Sequence, residues 1–398
     1  MTQMLDPELF LPDPDPVEVK YTVISVDDHL VEPPDMFEGR LPAKLQAFAP
    51  RVVLNDHGHE VWEFDDQRFT QVGMNAVAGR RPETVKVEPF RFDQMRPGCF
   101  DPHARVRDMD LGGIWASLNF PSMITGFCGR VYSSAKDPEV GLAVTRAYND
   151  WVYEGWWQQA PERFIPCGIT YLADPEIAAA EIRRNAERGF VSVSLPERPH
   201  KIGFPSIFDP SWDPVMRACA ETDTVVSLHV GSSGMADVAP NAPMMGPSAT
   251  LFGQLSLTAC AEWLWSAWMV KYPNLKIAMS EGGIGWVAML MDRLDNLVDR
   301  SGYLSDGYGP DNRPADVLAR NFWFCTIDDP STIDTRYRIG VENIMIETDY
   351  PHGDGTWPTT QDEIERYWGH LPTEELRMMT HQNAATLFRH PLPPDPKP

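Results

Sequence analysis

A chain of 398 residues could hold two or three average domains, but α/β barrels with insertions exceed about 250 residues as one unit, so a single large domain fits. A hydrophobic fraction of 43% and an aromatic fraction of 11% exclude disorder, and a net charge of −23 argues against nucleic-acid or membrane partners and for a small-molecule role. Six cysteines (Cys99, Cys128, Cys167, Cys219, Cys260 and Cys325) lack any C-x-x-C spacing, unlike a disulfide framework or a zinc knuckle, and most read as buried packing thiols.

Residues 1–16 are acidic and proline-rich, without the basic-then-apolar order of a signal peptide, so the expected location is the cytoplasm. The first predicted strand covers residues 23–27. Residues from about 30 to 105 are rich in Pro, Arg and Asp and read as an insertion, with a hairpin over residues 51–64. Loops after barrel strands sit over the active face, so this insertion is expected to form a lid or substrate wall. Further strands are predicted over 114–120, 164–170, 191–195, 224–229, 275–280, 322–327 and 344–349, and helices over 140–159, 175–188, 212–221, 255–271, 285–300, 332–340 and 374–387. Asp174-Pro175 and Asp209-Pro210 read as N-caps followed by proline at the first helical position, and Arg188-Gly189 as a helix end. The stretch 255–270 is broken by Glu262 and is no membrane span.

Eight strands with helices between them predict an α/β fold, a (β/α)8 TIM barrel over residues 21–390, flanked by an extension over 1–20 and a flexible tail over 391–398. No G-x-G-x-x-G follows the first strand, which weakens a dinucleotide-binding reading.

Four of the strands end in a metal ligand or proton carrier: Val26-Asp27-Asp28-His29, Val226-Ser227-Leu228-His229, Ala278-Met279-Ser280-Glu281 and Glu347-Thr348-Asp349. Strict alternation puts Asp27 and His29 on one face, and Asp28 with Ile24, Val26 and Leu30 on the other. A lone His229 is well explained as a core histidine satisfied by a carbonyl. In a closed barrel, however, the first and last strands are neighbours, so Asp27, His29 and Asp349 can converge, and convergence favours a metal. His352, in the loop after Asp349, could bind substrate or a second metal, or sit in solvent. His57 and His59 read as solvated turn residues. Trp151, Trp156, Trp157, Trp263, Trp265 and Trp268 read as outer-layer or interface packing, which accords with a homodimer or higher homo-oligomer. Arg51, Arg68, Arg80, Arg81, Arg91 and Arg96 either meet an acidic substrate or are solvated.

The strand ends resemble the amidohydrolase superfamily, and more closely its amidohydrolase-related branch, which includes the aminocarboxymuconate-semialdehyde and hydroxybenzoate-type decarboxylases. The resemblance spans roughly residues 20–390. It rests on the order and spacing of Asp108-Met109-Asp110 before the second strand, Tyr272-Pro273-Asn274-Leu275-Lys276-Ile277 into the sixth, Thr348-Asp349-Tyr350-Pro351-His352 at the eighth, and Asn383-Ala384-Ala385 in the last helix. It implies Asp27, His29, His229 and Asp349 as metal ligands. The sequence departs from the family pattern where Asp27 replaces a first histidine and where Glu281 stands in place of the sixth-strand histidine.

A glutamate cannot inherit a histidine's role near pH 7, so Glu281 either carries a proton or ligates, and bridges, a second ion; the remaining alternative is a helix-start acid. Zinc is the ion the family implies, with manganese or iron as rivals at a carboxylate-rich site holding one or two ions. The expected activity is metal-dependent hydrolysis of an amide, ester or thioester, with Asp349 taking a proton from water and Glu281 or His352 returning one. Non-oxidative decarboxylation of an aromatic or unsaturated acid ranks second, because Glu281 displaces the histidine that the family's decarboxylases use. A ligand-binding barrel without catalysis ranks third.

Overall fold

In chain order the strands are β1 (Ile24–His29), β2 (Arg51–Leu54), β3 (Glu60–Phe64), β4 (Gln67–Phe69), β5 (Ala116–Phe120), β6 (Phe164–Ile165), β7 (Cys167–Gly168), β8 (Ser192–Leu195), β9 (Val225–His229), β10 (Ile277–Ser280), β11 (Phe322–Thr326) and β12 (Ile344–Ile346). The computed structural model describes residues 5–85, 89–243, 246–301, 307–309, 312–326 and 329–397; the last position of the predicted strand 322–327 and the last of the tail 391–398 lie outside the described residues. Two parallel sheets, β1-β5-β6 and β7 to β12 in sequence order, form the walls of a (β/α)8 barrel. Between β6 and β7 lies Pro166, which has no N–H for the ladder, so one predicted strand becomes two short ones.

The ring closes between the first and last strands through backbone bonds. His29 N–H donates to Tyr350 O at 2.7 Å, and Asp349 N–H to Asp27 O at 2.9 Å. Inside the barrel Ile24, Val26, Ala116, Leu118, Phe120, Ile165, Cys167, Val225, Ala278, Cys325 and Met345 pack together, with Leu387 and Phe388 of the last helix against them. Asn383 Nδ2 donates to Val341 O and Ile344 O at 2.8 and 2.7 Å, which fixes that helix under the start of β12.

Helix ends follow the sequence chemistry. Asp174 caps Pro175–Glu187 by accepting from the amides of Glu176 and Ile177. Asp209 caps a short turn, Pro210–Trp212, that leads into the helix Asp213–Thr222. Three predicted helices are interrupted: 140–159 gives Pro138–Trp151 and then a wider turn over Val152–Trp156, 374–387 contains a similar turn over Met378–Gln382, and 255–271 breaks at Ala267, whose φ is 62°. Helices Pro102–Gly112, Pro314–Asn321 and Thr360–Trp368 were not expected from the sequence. The tryptophans pack in the outer layer, where Trp156, Trp263 and Trp268 donate their indole N–H groups to Asn119 Oδ1, Glu197 O and Ile207 O. All six cysteines are free and buried. Among the described residues no helix is long and apolar enough to cross a membrane.

The insertion forms an antiparallel sheet of β2, β3 and β4, and Asn55 Oδ1 accepts from the amides of His57 and His59 to shape its turn. His57 is exposed and His59 stacks on Phe90 at 4.1 Å, so neither joins the site. Farther along, the amides of Val77 and Ala78 donate to Pro351 O at 3.0 and 2.9 Å, docking the insertion on the loop after β12 at the barrel mouth.

Just beyond β1 the carboxyl of Glu32 is fully buried and accepts from the backbone N–H of Ser122 at 3.0 Å and from its hydroxyl. Burial pushes its pKa from 4.5 up to about 7. The folded state therefore keeps a proton that the unfolded chain has lost, and stability falls as pH rises from 4.5 to 7, by about 3 kcal/mol in all. Glu32→Gln is expected to raise stability at pH 8 and not at pH 5, measured by urea unfolding. An equal effect at both pH values would refute this.

Candidate metal centre

Strand β1 carries a bulge where the site begins. Ser25 pairs with Ser117 and Asp28 with Asn119, so three steps on β1 face two on β5. The extra residue shifts the alternation: Ile24 and Val26 join the barrel interior, and Asp27 and His29 face its mouth. The placement of Ile24 and Val26 on the Asp28 side is thereby corrected, because strict alternation assumes a regular strand. Asp28 does turn away. Its Oδ1 accepts from Ser25 Oγ at 3.0 Å, Thr348 Oγ1 at 2.6 Å and Tyr350 N–H at 3.1 Å, and its Oδ2 lies 3.8 Å from Arg105 Nη1.

The four strand-end residues converge. His29 Nε2 is 3.6 Å from Asp27 Oδ1, 3.4 Å from Asp349 Oδ1 and 3.1 Å from His229 Nε2, and His229 Nε2 is 3.6 Å from Asp27 Oδ2. Two donors bound to one ion at about 2.1 Å lie about 3.0–3.5 Å apart at octahedral or tetrahedral angles, so these separations fit a shared cation. Among the described residues, neither oxygen of Asp27, both buried, has a hydrogen-bond partner, a lack that a cation would satisfy. His229 Nδ1 lies 2.6 Å from Val230 O; the tautomer that donates there presents the Nε2 lone pair to the centre.

The electrostatics agree. Burial, followed by the carboxylates of Glu347, Asp349 and Glu281, pushes the Asp27 carboxyl well above its ordinary range. Burial holds His29 and His229 well below the usual imidazole value, so both rings are neutral, the form that coordinates metals.

Glu281 is part of this group and is not a helix-start acid, because the next helix begins only at Val287. Its Oε2 is 3.3 Å from His229 Nε2. Burial, then Asp349 and Glu347, raises its pKa well above the carboxylate range. His352 is buried, stacks on His29 at 4.1 Å and places Nδ1 2.9 Å from Asp349 Oδ1. Glu281 and Asp349 both have left-handed backbones, with φ of 61° and 52°, a strained conformation for residues other than glycine that clusters at functional sites.

Several residues of the site escaped the sequence reading. Glu347, buried beneath Glu281, accepts the Glu281 amide at 3.0 Å and the Cys325 thiol hydrogen through Oε2. Asp354 lies near Glu281 and Asp349. Phe127 stacks on His229 at 5.1 Å. Arg105, fully buried, donates to Gly98 O at 2.7 Å and to His29 O, fixing the strand end from behind. Only Arg105, Glu347 and Asp354 left a trace in the sequence, as charged residues beside the motifs. Of the other arginines singled out in the insertion, Arg51 and Arg68 pair with Glu63, Arg91 with Asp93, Arg96 with Asp13 and Asp108, and Arg81 donates to Pro7 O.

Over Glu281 and Asp349 opens a cavity of about 610 Å³, lined also by Glu347, Asp354, Phe252 and Trp286, with no Lys or Arg among its described lining residues.

No curated protein sequence matches the chain. Solved structures do. An amidohydrolase from Mycobacterium avium subsp. paratuberculosis K-10 superposes with a TM-score of 0.74 at 24% identity, covering 93% of this chain and 100% of that one. A 5-carboxyvanillate decarboxylase from Novosphingobium aromaticivorans, with bound manganese, gives 0.65 at 18% identity over 95% of this chain and 100% of its own. A 2,6-dihydroxybenzoate decarboxylase from Rhizobium gives 0.60 at 17% identity over 93% and 99%. At these identities the likeness establishes the barrel fold. The amidohydrolase family model matches residues 55–390, most of the chain, and the protein belongs to the amidohydrolase family.

Proposed function

We propose that the protein is a metal-dependent decarboxylase that releases carbon dioxide, without redox change, from a hydroxylated aromatic or unsaturated carboxylic acid. The observation that carries this reading is the convergence of Asp27, His29, His229 and Asp349, with unpartnered carboxylate oxygens, at the mouth of the barrel. Solved structures of the same fold that hold manganese are named as decarboxylases, which supports this order over the one favoured by sequence alone, where hydrolysis came first.

A divalent ion, manganese or zinc, which Asp27, His29, His229 and Asp349 would hold, would supply Lewis acidity there. The chain does the rest. His29 and His229 would coordinate as neutral rings, and His352 Nδ1 lies 2.9 Å from Asp349 Oδ1. Loss of carbon dioxide leaves a carbanion that needs a proton, and Glu281 and His352 are the groups at the mouth placed to deliver it. Phe252, Leu257 and Trp286 give the substrate ring an apolar wall.

A second reading, hydrolysis of a neutral amide, ester or thioester, is favoured by the lack of Lys or Arg among the described cavity residues, since a substrate carboxylate would depend on the ion alone. Protein loaded with manganese or zinc, incubated with a panel of hydroxybenzoates, is expected to release carbon dioxide. Release of amine, alcohol or thiol from acyl substrates, with no carbon dioxide from the acids, would transfer the assignment to the second reading.

A further inference from the structure

We infer that Phe127 is a positioning residue for the metal centre, its ring holding the His229 imidazole in the orientation that presents Nε2 to the ion; this rests on the proposed metal-dependent reading. The Phe127 ring stacks on the His229 ring with 20° between their planes and 5.1 Å between centroids, and it meets His29 edge-on at 5.9 Å. Phe120, the last residue of β5, closes on His229 edge-on at 5.0 Å. The imidazole is therefore held between two phenyl rings, and all three side chains are buried.

The rotation that matters for a ligating imidazole is the one about Cβ–Cγ, because it swings Nε2 toward or away from the ion. The contact of Nδ1 with Val230 O, at 2.6 Å, selects the tautomer, but Val230 is the next residue along and moves with His229. Phe127 belongs to a different element, the loop after β5. Its face lies against the imidazole and obstructs that rotation in a close-packed interior.

The loop is tied down so that the ring stays in place. Phe127 has a left-handed backbone, with φ of 64°, a costly conformation for a residue other than glycine that persists only where the surroundings enforce it. Here they do. Its carbonyl accepts from Ser194 Oγ of β8 at 2.8 Å, and its N–H donates to Ser122 O at 3.3 Å. Ser122 in turn donates its own N–H to the buried Glu32 at 3.0 Å. At Gly129 a β-carbon would lie 2.9 Å from Thr170 O, so the far end of the loop sits directly against the chain beyond β7.

Phe127 acts through His229 and not on a substrate. The cavity reaches the centre past Glu281 and Asp349, and Phe127, Phe120 and His229 are not among its described lining residues. Groups that orient a ligating histidine change metal affinity by about ten- to a hundred-fold when altered.

The test separates the flat ring from apolar bulk. Phe127→Leu and Phe127→Met keep the bulk without the face, and Phe127→Tyr keeps the face. Full-length proteins stripped with a chelator are titrated with Mn²⁺ and the free ion is read by electron paramagnetic resonance, while thermal melts of the stripped proteins show that each is folded at the titration temperature. The leucine and methionine variants are expected to bind Mn²⁺ about ten- to a hundred-fold more weakly than wild type, and the tyrosine variant with wild-type affinity. Wild-type affinity in the leucine and methionine variants, or an equal loss in all three, would overturn the role of the ring and leave the four metal ligands standing. No Mn²⁺ binding by wild type would overturn the metal-dependent reading itself.

Discussion

Asp349→Asn is expected to lower turnover by at least about a thousand-fold, about 4 kcal/mol of transition-state stabilisation, while the chain stays folded. The carboxylate oxygen Oδ1 lies 3.4 Å from His29 Nε2 and 2.9 Å from His352 Nδ1. Asparagine keeps the shape and, of the residues with a β-carbon, is among those that best tolerate a left-handed backbone, so the φ of 52° is no obstacle. The amide bond to Asp27 O at 2.9 Å needs only the backbone and survives. What is lost is one negative charge. Asp349 is among the charges that raise the Asp27 pKa, so the metal-free variant should melt at a higher temperature than metal-free wild type even as it loses activity. Steady-state kinetics and a thermal melt on the same preparations decide the matter, and wild-type rates in the variant would end the assignment of Asp349.

Arg105→Met is expected to cost about 3–5 kcal/mol of stability, the range seen when one partner of a buried ion pair is removed. Arg105 has no solvent exposure, and its guanidinium satisfies Gly98 O and His29 O, stands 3.8 Å from Asp28, and lies 4.3 Å from the Tyr350 ring. Methionine keeps much of the volume and none of the donors. It leaves Asp28 buried with only neutral partners, so adding Asp28→Asn to Arg105→Met should restore part of the loss, which urea unfolding of the four proteins in the cycle would measure. A cost below about 1 kcal/mol would place Arg105 among ordinary substitutions.

The strands were legible because each is an apolar run that stops at a charged residue. The helix Pro102–Gly112 was not, because its buried face includes Arg105 and Asp108, so hydrophobic periodicity gives no signal there. In Thr360–Trp368 the buried residues are Thr360, Gln361, Ile364 and Trp368, half of them polar, and Pro314–Asn321 spans only two turns. That Asp27, His29, His229 and Asp349 converge at the strand ends could be read in advance, since barrel topology alone brings strand ends together. Glu281 was visible as a departure from a pattern, but its neighbours were not. That Glu347 supports it depends on β11 and β12 lying beneath its turn, and that Asp354 faces it depends on Asn75 reaching across from the insertion. The bulge in β1 is likewise silent in the sequence, because no glycine or proline marks it.

The seam between β1 and β12 gives the site an order in time. The Tyr350 amide reaches Asp28 across 322 positions, so Asp27 and His29 leave the ribosome early and wait, without their counterparts, until the eighth strand has been made. A captured cation would then clasp opposite ends of the nascent fold. Its release should first quicken deuterium uptake at the amides of His29 and Asp349, ahead of any global unfolding.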